Sequence, residues 1–115
     1  MNAAELKDSQ VSILISDPWE FATECGTGPF TGLVTDATEE RLVIVLRSPI
    51  AYQGRTLNTI IAQSRHVGVG IGAVATGAMA SNLLFLPNRL DSVAELSSSM
   101  RVAGIAAVGT IEQLA

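Results

Sequence analysis

Residues 30–46 read FTGLVTDATEERLVIVL, and the fold turns on how this stretch is taken. Phe30 to Val34 is an extended apolar pattern, Asp36-Ala37-Thr38-Glu39-Glu40 is polar turn chemistry, and Arg41 to Leu46 returns as a run of apolar, mostly β-branched residues. Branching at Cβ stiffens χ1 in a helix and suits a pleated surface, so the stretch predicts a hairpin. Its second arm is apolar without alternation, the pattern of a strand buried on both faces.

Toward the N-terminus, Val11, Ile13 and Ile15 alternate with Ser12, Leu14 and Ser16, a period of two that marks a strand with one buried face. Asp17-Pro18 closes it, because proline has no N–H for a ladder and holds its predecessor extended. Residues 1–9 form a polar lead-in with room for a helical turn. Trp19 to Phe30 contains Gly26-Thr27-Gly28-Pro29 and reads as a loop or short hairpin.

Toward the C-terminus, Arg47 to Arg55 contains Pro49 and Gly54 and predicts an irregular connection with Gln53-Gly54 as its tight turn. Thr56 to Gln63 re-enters the sheet with Leu57, Thr59 and Ile61 on one face, and Ser64-Arg65-His66 ends that strand. Val67 to Gly77 holds Gly68, Gly70, Gly72 and Gly77. Each costs a helix about 1 kcal/mol against alanine, so a turn is expected, with Ala78 to Leu86 as a fifth strand. Pro87-Asn88 interrupts the pattern, and Ser92 and Glu95 stand at capping-box spacing for a short helix over Ser92 to Ser99. Val102 to Ile111 is a closing strand in which Gly104 and Gly109 mark bends or bulges.

Short strands at this spacing, joined by Gly and Pro turns, define an all-β fold, or a mainly β fold with one short helix. The expected form is a small antiparallel barrel or roll of about six strands, with a sandwich as the alternative. No βαβ alternation or internal repeat is visible. At 115 residues the expectation is one domain over residues 1–115.

Hydrophobic residues make up 48% of the chain and mean hydropathy is +0.38. Such an apolar surplus is most simply buried against a second copy, so a homo-oligomer is expected. Val67 to Leu86 has no charged side chain over about the length that spans a bilayer. It is dominated by Gly and Ala, contains Ser81 and Asn82, and has no flanking aromatic belt, so a turn plus buried strand is the better reading. The N-terminal MNAAELKDSQ lacks the basic and apolar regions of a secretory leader. A sole cysteine, Cys25, forms no intrachain disulfide, and a cytoplasmic location is expected.

Net charge is −4, unevenly placed. Residues 1–40 hold eight acids and Lys7, whereas residues 41–115 hold six arginines and three acids. The acidic balance argues against a nucleic-acid partner and permits a basic protein partner. Arg47, Arg55 and Arg65 flank the central strands and would either gather at one barrel end as an anion site or pair with the acidic first third.

The densest mixture of aromatic, acidic and thiol groups is Asp17, Trp19, Glu20, Phe21, Glu24 and Cys25. As a loop rim, Trp19 would supply apolar area while Asp17 and Glu20 receive cations. Alternatively Trp19 plugs a barrel end and the acids are simply solvated. Asp17 with Glu20 as an acid–base pair, or Cys25 with His66 as nucleophile and base, would give a small hydrolase, but nothing else in the chain supports either. CGTGPF lacks the Gly-Lys-Ser/Thr ending of a phosphate loop, and residues 68–75 match a dinucleotide fingerprint only loosely. No cofactor, metal or catalytic residue is assigned. The expected function is a non-enzymatic, self-associating binding module whose loop face carries Asp17, Trp19, Glu20, Tyr52, Arg65 and His66. The alternatives are an intracellular inhibitor of immunity-protein type, whose acidic face occupies a basic toxin, and the small hydrolase.

Overall fold

A computed structural model describes residues 3–17, 19–66 and 68–114. Pro18 and Val67, which figure in the sequence reading, lie outside them. The strands are β1 (Gln10–Asp17), β2 (Phe30–Ala37), β3 (Arg41–Tyr52), β4 (Arg55–Ser64), β5 (Met79–Leu86) and β6 (Ile105–Gln113). Each pairs antiparallel with the next, and β6 pairs with β1, so the meander closes into a six-stranded barrel. The expected antiparallel barrel is therefore the fold.

Alternation explains the interior. Val11, Ile13 and Ile15 point inward from β1 and meet Val34 of β2 and Leu42 and Ile44 of β3, all buried. The hairpin of residues 30–46 forms with Leu33 opposite Val45 and Val34 opposite Ile44. β3 is longer than expected and runs through Pro49, because a wide irregularity lets it. Val45 faces Thr59 and Ile50 faces Leu57, so Leu46 to Pro49 stand against Asn58 alone. A bulge has no ladder bond for proline to break, and beyond it Ile50 and Tyr52 lie in the interior. The same irregularity corrects the expectation that Leu57, Thr59 and Ile61 share a face: Leu57 lies in the barrel core, whereas Ile61 lies in a second cluster. At the tip of this hairpin Gln53 and Gly54 both have positive φ (51° and 75°), as a two-residue turn between right-twisted strands requires.

The continuous apolar run of β3 is buried on both faces, as read. Its outward Val43 and the Ile61 of β4 are covered by residues 87–104, which cross the outer wall and bring down Leu90, Val93, Leu96 and Met100. Polar pins hold this cover. The Leu90 N–H donates to Oγ1 of buried Thr59 (3.1 Å), Asn58 Nδ2 donates to the Pro87 carbonyl (2.6 Å), and the Val93 N–H donates to Asp36 Oδ2 (2.8 Å). The expected helix over Ser92 to Ser99 is displaced. A 3-10 turn spans Val93–Glu95, and the helix is Ser98–Ala103 with Ser97 as its cap, the Ser97 hydroxyl accepting from the Met100 N–H. Glu95 does not close a box on Ser92; it accepts from the Asp91 N–H instead.

The two barrel ends are plugged differently. One end is closed by Leu6 from the 3-10 turn Ala3–Leu6, together with Ile71 and Val74 from the 3-10 turn Ile71–Thr76, all fully buried. At the other end the helix α1 (Glu20–Glu24) inserts Phe21, which stacks on Tyr52 with ring centroids 4.1 Å apart and meets Phe85 at 5.0 Å. Residues 68–86 hold a turn and β5, and among the described residues no helix is long and apolar enough to cross a membrane.

The seam between β6 and β1 is unusually close. Ile15 faces Gly109 and Asp17 faces Val108, so Ser16 bulges, and its hydroxyl donates to the Val108 carbonyl (3.0 Å). A Cβ on Gly109 would stand 2.0 Å from the Leu14 carbonyl oxygen, a backbone atom that cannot swing away. Gly109→Ala is therefore expected to lose about 1–3 kcal/mol of stability, as overpacked sites do, read from the urea midpoint; an unchanged midpoint would show that the seam yields freely.

Candidate functional site

Position along a short helix decides which aromatic is offered to solvent. Trp19 caps α1 and Phe21 follows two residues on, and residues two apart on a helix do not share a face. With Phe21 fully buried, Trp19 is turned outward and is 68% exposed. The barrel-end plug is thus Phe21, and Trp19 is the rim residue. Beneath it lies a groove of about 570 Å³ lined by Asp17, Trp19 and Glu20 with Asn82 and Leu83 of β5 and residues 106–108 of β6. The Ser16 bulge sets Asp17 opposite Val108, on the same stretch of wall. No basic side chain lines this groove. An exposed indole flanked by carboxylates suits a guanidinium or ammonium group, which the ring face and the acids attract together.

The structure does not gather the remaining candidates there. Tyr52 is 2% exposed and belongs to the aromatic stack, with only its hydroxyl engaged, accepting from Gln53 Nε2 at 3.4 Å. Arg65 and His66 follow the far end of β4, beside the turn after β2, whereas Asp17 ends β1 at the opposite end of the barrel. A single loop face carrying both Trp19 and Arg65 is therefore corrected: an up-and-down meander sends consecutive loops to alternate ends. Arg65 and His66 line a separate cleft of about 450 Å³ with Glu39 and Glu40, a mixed-sign site. The same alternation separates Cys25, near α1, from His66, so they form no nucleophile–base pair.

Nor do Arg47, Arg55 and Arg65 gather. Arg47 projects from the wall of β3, Arg55 begins β4 and donates to the Ala103 carbonyl (2.7 Å), and Arg65 lies past the end of β4. Among the described residues they make no ion pair with the acidic first third, although Arg65 shares its cleft with Glu39 and Glu40. Among the described residues the one ion pair is Arg89–Asp91, two residues apart and exposed. Among those residues no group of His, Cys, Asp and Glu is placed to hold a metal.

A second groove, of about 420 Å³, escaped the sequence reading. It lies on the wall of β2 and β3 and is lined by Gln10, Thr31, Leu33, Thr35, Arg47 and Arg89. No acidic residue lines it. The only sequence signal for it was the outward parity of Arg47 on β3, since Arg89 arrives from a distant loop.

Fold and site together define a closed six-stranded antiparallel barrel bearing one acidic aromatic groove and one basic groove. No protein-family model matches the chain, and no curated protein or solved structure matches it.

Beneath α1 the Glu24 carboxylate accepts from the Gln53 N–H (2.5 Å), tying the helix to the hairpin tip. Burial pushes the Tyr52 phenol up, and the Glu20 and Glu24 carboxylates and Cys25 push the same way. Burial, then Glu24, likewise raises the Cys25 thiol. Tyr52 is the sole tyrosine, so alkaline difference absorbance reads it alone. Its midpoint is expected above the ordinary value of about 10 and returns there in urea. The unfolded chain releases this proton first, so the stability contribution is complete below about pH 10 and is lost as pH climbs toward the folded midpoint. A folded midpoint at or below 10 would contradict the buried ring.

Proposed function

We propose that this chain is a non-enzymatic, self-associating binding module and that the groove beneath Trp19 is its recognition face. The exposure of Trp19 carries the reading. A tryptophan is the most expensive side chain to leave in water and the commonest anchor at protein interfaces, yet this one is held outward by the helix that buries Phe21. A closed barrel has no free strand edge on which a partner could build main-chain hydrogen bonds. Recognition therefore falls to side chains on the wall and the end loops.

The separation of Cys25 from His66 removes one of the two supports for a hydrolase. An inhibitor of a basic protein remains the second reading, favoured by Asp17 and Glu20 beside the indole.

Light scattering over a dilution series tests the first reading. The wild-type mass is expected to rise above the 12.0 kDa of one chain as concentration increases, and Trp19→Ala to remain at that mass throughout. A wild-type protein monomeric at every concentration, or a Trp19→Ala variant that assembles equally well, would refute it.

A further inference from the structure

The occupant of the Trp19 groove can be named from the rest of the molecule. On the walls of β1, β2, β5 and β6 no arginine or lysine appears; the arginines of the barrel lie on β3, on β4 or just past its end, with Arg89 and Arg101 in the covering segment. Arg47 and Arg89 share the groove on β2 and β3. Arg47 makes no ion pair among the described residues, and Arg89 engages Asp91 through Nε alone, at 3.2 Å, an exposed contact of little worth that leaves the rest of a five-donor fork for another acceptor. Each groove thus has the charge the other lacks.

They cannot meet within one chain. In the closed order β1-β2-β3-β4-β5-β6, the acidic groove lies over β6 and β5 and the basic groove over β2 and β3, so the two are turned away from each other around the wall. Opposite charges on opposite sides of one rigid body are satisfied by copies of that body. We infer that the Asp17–Trp19–Glu20 groove of one copy receives Arg47 and Arg89 of the next, so that the chain associates head to tail with itself. A guanidinium lying on the indole while its N–H groups donate to the carboxylates uses both chemistries of the groove. A contact between two different surfaces repeats until a ring closes or a filament grows, so growth beyond a dimer is expected.

The inference rests on the reading of the Trp19 groove as the recognition face, and two complementary variants separate their failures. Asp17→Asn with Trp19→Ala and Glu20→Gln disables the acidic groove. Arg47→Ala with Arg89→Ala disables the basic one. All five positions are exposed and none belongs to the core, and circular dichroism checks that each variant keeps its strands. Each alone is expected to associate at least about tenfold more weakly than wild type and to remain monomeric where wild type assembles. Their equimolar mixture restores a single junction and should stop at twice the chain mass. In the arginine variant Trp19 remains as the sole tryptophan, and its emission should stay that of a solvated indole at concentrations where wild type shifts to the blue. Raising ionic strength should disperse the wild-type assembly by screening exposed charge.

If Trp19→Ala dissociates the assembly while the arginine variant assembles normally, the recognition face stands and its occupant has been misassigned. A mixture that fails to pair, or an assembly that stops at a salt-insensitive dimer, overturns the inference. So does a wild-type protein that stays monomeric yet forms a salt-sensitive complex with a foreign basic protein.

Discussion

Closure of β6 on β1 is the contact everything else depends on. A six-stranded meander left open would expose two rows of unpaired N–H and C=O groups and one face of its core. Closure pairs Ile13 with Ile111 and Ile15 with Gly109 and leaves only the two ends to be plugged. It depends on the missing side chain at Gly109, because the Leu14 carbonyl occupies the space a Cβ would need. The cost of so tight a seam is the Ser16 bulge, and that bulge sets Asp17 beside β6, on the wall where the Trp19 groove lies. Barrel closure and the geometry of the candidate site are one event.

The apolar surplus in the composition finds much of its cover inside the chain. Residues 87–104 lie over β3 and β4 and bury Val43 and Ile61, which would otherwise face water. Among the described residues what remains outside is Leu14, Leu33, Val69, Val102 and Leu114, with Trp19 the one large aromatic. Single exposed aliphatics are ordinary on protein surfaces. The case for association thus moves from total hydrophobicity to one indole and the charges around it.

Much of the barrel was legible because its signals are local. Val11, Ile13 and Ile15 have the period of a half-buried strand, and the unbroken RLVIVL announced a strand covered on both sides. Where the reading failed, the deciding contact was distant in sequence. Leu57 and Ile61 face different compartments because β4 changes face where the β3–β4 pairing is irregular, between Val45–Thr59 and Ile50–Leu57, while the inward residues of β3 keep their parity. Ser92 and Glu95 have capping-box spacing, yet the Val93 N–H is drawn to Asp36, and the helix begins at Ser98 instead. Composition offered Trp19 as the plug; the phase of a five-residue helix, invisible before the helix is known, chose Phe21 instead. Asp17, Trp19 and Glu20 were legible as a group since they are neighbours in the chain. Tyr52, Arg65 and His66 were not, because loop alternation and interior packing disperse them.

An up-and-down barrel also converts order along the chain into angle around an axis. Consecutive strands are neighbours, so a charge imbalance between the first third and the rest becomes an imbalance between sectors of the wall. A fold with long crossovers would interleave those segments and let Arg47 find acids of the N-terminal third, whereas here, of the two, only Arg65, in its cleft with Glu39 and Glu40, comes near them. Here the local Arg89–Asp91 contact is the one ion pair among the described residues, and the Trp19 groove and the Arg47–Arg89 groove face outward in different directions. Rotating strands within a closed ladder would break every pairing at once, so the chain has no internal way to bring those sectors together. In the proposed head-to-tail association, the attraction between the two grooves acts between molecules.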